Sequence, residues 1–457
     1  MAPTDTFAVG GVPVFSLLYA DDLVLIAASP QALQKELDVS GQFSQDWDLT
    51  VNFKKTNSVV FNPQPRDKRL SWDLAGTPVL AATSYTYLGI VFDAKKGIKP
   101  AQGLLVDAGR KALNGMMGVC AQQEIDDPSL RHHMFNALVL PVLSYGAELW
   151  GGFSPCYLTD GYFKATHAEK VHTLFLRWFT GVSRSTHKRA LVHAAGRQPI
   201  GAHWDAQTAA FWNHLAGMSD SRLARLAFKD NIALMQTGGE CWASSSAQHF
   251  SAVGALGPAA FNHPCRPLWD RQVSTARGIS DSNQALWANF CQNHRTLPPH
   301  PVQLPHRTLY TYAAWFRQLS TDLHVHHNIP ARRWKTVLRF CTGSHNLAIK
   351  AALWHKAHLH ECVCPCCGTS PEDEAHLVLD CVAYAPVRAS LPGLFGNLPA
   401  DSCLAMQHVF SPDNFRALAP FLTSCFTHRQ TCADSGGPGL SPSLLPPLSP
   451  PRQVSAT

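Results

Sequence analysis

Between residues 362 and 381 five cysteines and a histidine crowd together, and no other stretch of this 457-residue chain restricts its folding so tightly. The cysteines are Cys362, Cys364, Cys366, Cys367 and Cys381; Cys120, Cys156, Cys241, Cys265, Cys291 and Cys341 are scattered singly, as buried thiols are. Residues Met1 to Gly10 carry Asp5 and no basic cluster, so no secretory signal is expected. In a reducing compartment such a cluster points to metal before disulfide. Cys364, Cys367, His376 and Cys381 give the pattern C-x2-C-x8-H-x4-C. Thiolates and an imidazole suit tetrahedral Zn²⁺, and the two-residue gap lets one turn present both first sulfurs to one ion. Gly368 permits the tight turn that follows. A short helix from His376 to Cys381 would turn both ligands inward if its end unwinds slightly. Four ligands with no open position imply a structural ion, not a catalytic one. Cys362 and Cys366 remain as competing ligands.

A metal segment of that size occupies little of the chain, and the rest can bury a core of its own. Hydrophobic residues make up 46% of the sequence, which excludes wholesale disorder, and the length suits about three domain-sized units. The most apolar stretch, Ala137 to Phe153, is interrupted by Pro141 and Glu148, so it reads as a buried helix and its exit, not a membrane span. The expectation is a soluble intracellular protein, nuclear or cytoplasmic, with no membrane partner. Net charge is +6, an excess that permits a nucleic-acid partner without requiring one.

Residues 12 to 62 read as a strand-helix-strand unit. Val12 to Tyr19 and Leu23 to Ala27 are apolar runs separated by Ala20-Asp21-Asp22, the pattern of a β-hairpin. Ser29-Pro30 supplies an N-cap and an N1 proline for a helix, along which Leu33, Leu37, Ser40, Ser44 and Trp47 follow at spacings of three and four with polar residues between. Ser58 to Phe61 closes the unit, and Tyr85 to Phe92 is a further strand candidate. From Ala101 to Leu143 the pattern is helical, broken near Asp126-Asp127-Pro128. Phe163 to Gly181 is a long amphipathic helix. The tail from Ala433 to Thr457 is dominated by Pro, Gly and Ser and is expected to be disordered.

The acidic pair Asp21-Asp22 sits between two apolar strands, where carboxylates need a compensating positive charge. Mg²⁺ favours one or two carboxylates plus substrate phosphates, and a hairpin holds them at a fixed height. A plain hairpin turn that carries two aspartates is the alternative that these residues leave open.

The flanking residues carry a resemblance. Leu17-Leu18-Tyr19-Ala20-Asp21-Asp22-Leu23-Val24-Leu25 resembles the catalytic hairpin of reverse transcriptases. Leu49-Thr50-Val51-Asn52-Phe53-Lys54-Lys55-Thr56 resembles the next block of the non-LTR retrotransposon (LINE-type) enzymes, Tyr85-Thr86-Tyr87-Leu88-Gly89 the one after, and Leu138 to Trp150 the helical region beyond. Cys364-Pro365-Cys366-Cys367-Gly368, with Glu372, Glu374, His376 and Cys381, looks like the C-terminal zinc segment of the same enzymes, and Leu338 to His345 like the helix before it.

The resemblance implies an α+β fold: a partial palm at residues 1–95, thumb-like helices at 96–160, a helical linker at 161–330, and helices with the zinc segment at 331–432, before the tail at 433–457. It implies RNA-directed DNA polymerisation on an RNA template and a DNA primer or target. Asp21 and Asp22 would hold Mg²⁺. Tyr19 and Ala20 would lie by the primer end, with Asn52 and Gly89 beside the substrate, Gly89 serving a tight backbone approach or bend. Lys55 would approach the triphosphate, or else it is a solvated lysine on a strand edge. The family's further metal-binding Asp lies on an earlier palm strand, for which 18 residues before Tyr19 leave no room. The expectation is therefore that this chain alone does not polymerise DNA, with a non-catalytic, zinc-containing RNA-binding protein as the alternative. Two basic groups, Lys164, Lys170, Arg177, Arg184, Lys188 and Arg189, then Arg332, Arg333, Lys335 and Arg339, would supply phosphate contacts or simply a solvated face. Trp178, Phe179 and Trp334 within them are expected in the core.

Overall fold

The computed structural model describes residues 6–151, 166–252, 307–316, 330–350 and 362–435. The fold is mixed α+β, with short strands up to Asp93 and helices thereafter. No helix among the described residues is long and apolar enough to cross a membrane. Two compact units make up the chain: Met1–Ala112, Val139–Ala168 and Ile200–Ser282 form the first, and Leu113–Leu138, Glu169–Pro199 and Asn283–Thr457 the second.

The first unit opens with two hairpins. Ala8–Val9 (β1) pairs with Val12–Pro13 (β2) across Gly10-Gly11, and Ser16–Tyr19 (β3) pairs with Asp22–Leu25 (β4), Tyr19 opposite Asp22. The helix Pro30–Asp46 starts where Ser29-Pro30 places it: the Ser29 hydroxyl accepts the Ala32 amide at 3.2 Å, and Pro30 has no amide to leave unsatisfied. Asn57–Ser58 (β5), Trp72–Leu74 (β6) and Thr77–Ala81 (β7) form a sheet in the order β5-β7-β6, with β5 parallel and β6 antiparallel to β7. Leu37 of the helix, Trp72, Leu74 and Val79 are its buried core, and Leu25 and Leu33 pack against them. The Trp72 indole donates to the Pro30 carbonyl at 3.0 Å, and the Gln34 amide exchanges hydrogen bonds with the Asp73 backbone at 2.9 and 3.2 Å. A side-chain amide thus docks the helix on the sheet as a neighbouring strand would.

Three local expectations differ from what forms. Tyr85 to Phe92 is two strands, Ser84–Tyr87 (β8) and Ile90–Asp93 (β9), because Leu88 (φ +47°) and Gly89 (φ +77°) reverse the chain between them. Successive left-handed residues are the tight-hairpin geometry that matches strand twist. The run Ser58 to Phe61 contributes only Ser58 to a strand: left-handed Asn62 (φ +52°) turns the chain away, and its amide bonds to the Ala94 carbonyl. The helical spacing that runs to Trp47 stops one residue short: the helix ends at Asp46, and Trp47, at φ −105° and ψ 11°, is its C-cap and 68% exposed.

Three further helices of this unit, Ile200–Gly217, Leu223–Gln236 and Trp242–Ala252, close on Trp212, Phe228, Ile232 and Phe250, with the Trp212 and Phe228 rings edge-on at 5.2 Å. The break in the pattern from Ala101 to Leu143 falls where it is expected. The helix Ala101–Gln122 stops, and Asp127 caps the next one, Pro128–Met134, by accepting the Leu130 amide at 2.7 Å.

Aromatic stacking builds the second unit. Phe135 stacks on Phe175 at 4.1 Å, Phe175 on Phe179 at 5.4 Å, and Phe179 meets Trp334 edge-on at 5.1 Å. Phe410 stacks on Phe340 at 5.5 Å and meets Phe316 at 4.6 Å. Phe179 and Trp334 are buried as expected, while Trp178 is half-buried under the Arg131 guanidinium at 4.3 Å. The helix His167–Thr180 covers the expected amphipathic stretch, and Phe163 and Lys164 lie outside the described residues. At the other end the helix Phe415–Asp434 continues past Ala433 into the expected tail, of which residues 436–457 lie outside the described residues.

Candidate functional site

The metal candidate lies in the second unit and is built on a short chain reversal. Val363 and Pro371 form an antiparallel bridge, the Cys364 amide donates to the Ser370 carbonyl at 2.9 Å, and the Gly368 amide donates to the Cys364 carbonyl at 2.8 Å. Gly368 has φ +67°, the left-handed conformation that closes this turn without a Cβ penalty. The amides of Cys366 and Cys367 point at the Cys364 sulfur, and the Thr369 amide and hydroxyl at the Cys367 sulfur.

His376 and Cys381 come from the far side of the segment. They are five residues apart, about 1.4 turns of an ordinary helix, which would set them on different faces. Instead His376–Asp380 is a π-helical turn, and the Cys381 amide donates to the His376 carbonyl at 2.8 Å. The wider i→i+5 turn brings the two side chains round to the same side, a local rearrangement that often marks a functional site.

The four ligand atoms of Cys364, Cys367, His376 and Cys381 lie within 4.8 Å of one another. Cys364 and Cys381 sulfurs are 3.8 Å apart, and Cys367 Sγ is 3.4 Å from His376 Nε2. A zinc tetrahedron with bonds of about 2.3 Å to sulfur and about 2.0 Å to nitrogen has edges of about 3.8 and 3.5 Å. A disulfide would need about 2.05 Å. This cluster could hold a metal such as zinc, with no protein-free position left for substrate. Burial pushes the Cys364 and Cys381 thiols up. Burial also works against Cys367, but the Thr369 hydroxyl and amide, Cys364 and His376 hold it down at about 6. Of the two spare thiols, Cys362 is buried and belongs to neither metal-sized group, and Cys366 lies with a different set of side chains.

The acidic run beside the cluster has a division of labour that sequence reasoning missed. Glu372 takes two hydrogen bonds from Arg429, at 2.6 and 2.7 Å, and a third from the Ala348 amide at 2.6 Å. Asp373 accepts the His376 amide at 2.8 Å and so caps the π-helical turn. Glu374 meets His345 at 3.1 Å, with both side chains buried. Three consecutive carboxylates thus take three different partners, one of them the ligand His376 itself.

The second candidate is the hairpin β3–β4 of the first unit. Its turn is Ala20-Asp21, with Ala20 left-handed at φ +53°, and Asp22 begins β4 opposite Tyr19. Both aspartates are exposed and Tyr19 is 64% exposed, whereas Leu25 at the hairpin base packs on the core. The two strands form a sheet of their own. Among the described residues, no metal-sized group of three or more acidic, Cys or His side chains includes Asp21 or Asp22.

Lys55 is exposed in the loop after the helix. Asn52 organises that loop: its side-chain oxygen accepts the Lys54 amide at 3.2 Å, and its carbonyl accepts the amides of Lys55 and Thr56 at 3.0 and 3.1 Å. Gly89 belongs to the β8–β9 turn, where an added Cβ would stand 2.9 Å from the Tyr145 ring, whose hydroxyl donates to the Leu88 carbonyl at 2.7 Å. Asn52 and Gly89 therefore have backbone tasks that account for them without a substrate.

In the second unit the segments that carry the two runs of basic residues touch, and Lys164 of the first run lies outside the described residues. Arg339 donates to the Gly181 carbonyl at 2.7 Å, and Ser344 accepts the Ser183 amide at 3.0 Å. Lys335 is engaged by Asp126 at 2.8 Å, while Lys170, Arg184, Arg332 and Arg333 are exposed.

No family model matches the chain. Over 144 residues it is 31% identical to a Caenorhabditis elegans protein named as transposon-derived, a match that covers 31% of this chain and 50% of that protein. The chain spans about half the length of this relative, and the likeness supports a transposon-related protein.

Proposed function

We propose that this chain comes from a non-LTR retrotransposon reverse transcriptase and carries its catalytic hairpin. Its palm portion is residues 1–95, followed by thumb-like helices to 160, a helical linker to 330 and a zinc-bearing segment to 432. One observation carries the reading: Tyr19-Ala20-Asp21-Asp22 occupies the tip of a two-stranded hairpin whose base is anchored in the core through Leu25, so both carboxylates are held out at a fixed height. The relation to a transposon-derived protein supports it independently.

In this reading Asp21 and Asp22 supply one side of a Mg²⁺ pair. Such ions would polarise the phosphoryl group and neutralise the charge that develops on the attacking and leaving oxygens. Tyr19, exposed before the turn, would line the primer end, and Lys55 would approach the triphosphate. A third carboxylate is required opposite the pair, and the described residues bring none to it. That the chain alone does not extend a primer is part of this proposal.

Primer extension on poly(A)–oligo(dT) with Mg²⁺ tests this, on the chain alone and on the chain fused behind the fingers and early palm of a non-LTR enzyme. Incorporation by the fusion alone, abolished by Asp21→Asn, is the expected result. A fusion whose activity is indifferent to Asp21→Asn would remove the reading. Incorporation by the unfused chain that depends on Asp21 would overturn only its inactivity.

A non-catalytic RNA-binding protein derived from such an element is the second reading, favoured by the exposed cations Arg184, Arg332 and Arg333 beside the Arg339–Gly181 contact. Filter binding to RNA across a salt series tests it. Phosphate contacts predict retention that falls steeply with salt, and salt-independent or absent retention would exclude it.

A further inference from the structure

Cys366 stands between two ligands of the four-membered cluster and belongs to neither edge of it. Its sulfur is instead grouped with two side chains of the helix Phe415–Asp434, His428 and Cys432. These are four residues apart and so share one helical face. Cys366 Sγ, a ring nitrogen of His428 and Cys432 Sγ all lie within 4.8 Å of one another, and His428 Nε2 is 3.5 Å from Cys432 Sγ. The same chain reversal thus aims Cys364 and Cys367 at one set of partners and Cys366 at another.

We propose that Cys366, His428 and Cys432 form a second Zn²⁺ site, with a fourth coordination position open to solvent. Two thiolates and one imidazole are donors that select zinc over Mg²⁺ or Ca²⁺, and three protein ligands with an open position are the arrangement that leaves zinc accessible to an external ligand. On binding, the two thiols release their protons to solvent and the imidazole enters as the neutral base.

The surroundings supply what such a site requires. The Tyr384 hydroxyl lies 3.2 Å from the Cys366 sulfur, positioned to donate to the thiolate, and the Tyr384 ring stands edge-on to His428 at 5.7 Å. Outer partners of this kind orient ligands and tune their basicity. The residue after His428, Arg429, is locked to Glu372 by two hydrogen bonds, so the helix cannot slide relative to the segment that carries Cys366. His428 is exposed, whereas the ligands of the four-membered cluster are buried or half-buried. The second ion is therefore the exchangeable one.

Zinc content of the full chain, purified with zinc and a thiol-free reductant and then desalted, tests this without any polymerase assay. Wild type is expected to hold two equivalents, and Cys432→Ser and His428→Gln one each. After Co²⁺ substitution both variants should retain the absorption of the four-ligand site. A weak chelator should remove one equivalent from wild type quickly and the other slowly. Both substitutions fall on the last turns of a helix whose fixing contact is Arg429, and thermal unfolding verifies that each variant is folded. One equivalent in wild type, or two retained in either variant, overturns the proposal. A Cys366–Cys432 disulfide as the dominant form under these conditions also overturns it.

Discussion

The guanidinium of Arg429 and the carboxylate of Glu372, both essentially buried, face each other through two parallel hydrogen bonds of 2.6 and 2.7 Å. The pair joins the helix Phe415–Asp434 to the strand-like edge of the metal segment. Breaking a buried ion pair on one side leaves an uncompensated charge and costs about 3–5 kcal/mol. Arg429→Met should therefore lower stability by about that amount in urea unfolding. The double variant Arg429→Met with Glu372→Gln should recover part of it, because the orphaned charge is removed while the Ala348 amide keeps its acceptor.

Metal removal gives a separable result. The segment from Cys362 to Tyr384 holds no regular element longer than the five-residue turn His376–Asp380, so its order depends on contacts between its ends. Where a small segment is folded by its ion, binding energy is folding energy. Stripping the protein with a strong chelator under reducing conditions should raise amide hydrogen exchange at Cys364 to Cys381 by orders of magnitude. Exchange at the core helix Ile200–Gly217 of the first unit should change little. Cys364→Ser should reproduce the effect without chelator.

The residues legible in the sequence were those whose task is set by close neighbours. Ser29-Pro30 starts a helix by its own chemistry, Ala20-Asp21 turns a hairpin, and a two-residue gap between Cys364 and Cys367 is itself a metal-ligand geometry. Contacts between distant positions left no such local trace. Glu372 and Arg429 are 57 positions apart, and nothing near either residue names the other. The partners of Cys366 were hidden in the same way, so that in the sequence it remained a spare ligand for the nearer cluster. Trp72, buried and hydrogen-bonded to Pro30, leaves no mark in the sequence because a short strand gives too few residues for a period. Leu88 concealed a turn, because a bulky apolar residue is rarely left-handed, and the structure pays for it through the Tyr145 hydrogen bond on its carbonyl.

That turn makes a further expectation. At Gly89 an alanine would meet two penalties together: a left-handed backbone at φ +77° and a Cβ 2.9 Å from the Tyr145 ring. The backbone alone costs roughly 1 kcal/mol or more. Gly89→Ala should destabilise by about 2 kcal/mol, and Tyr145→Phe, which removes only the hydrogen bond to Leu88, by about 1 kcal/mol. Thermal melts of the two variants at one pH give the comparison. A Gly89→Ala protein as stable as wild type would mean that the turn relaxes and that Tyr145 does not hold it.

Glu36, on the helix Pro30–Asp46, makes stability depend on pH in an unusual direction. Burial pushes its carboxyl from the ordinary 4.5 up to about 7, and among the described residues its Oε2 atom is buried without a hydrogen-bond partner. The folded state therefore holds the proton more tightly than the unfolded state does. Stability from the neutral form is fully present below pH 4.5 and is lost as pH rises through about 7, where the folded protein must carry the charge. Since the side chain is partly solvated, screening limits the loss to about 1 kcal/mol. Glu36→Gln should leave the melting temperature near that of wild type at pH 5 and raise it at pH 8. Equal melting temperatures at both values would show that the carboxylate is solvated on the helix surface and that its burial does not set its proton affinity.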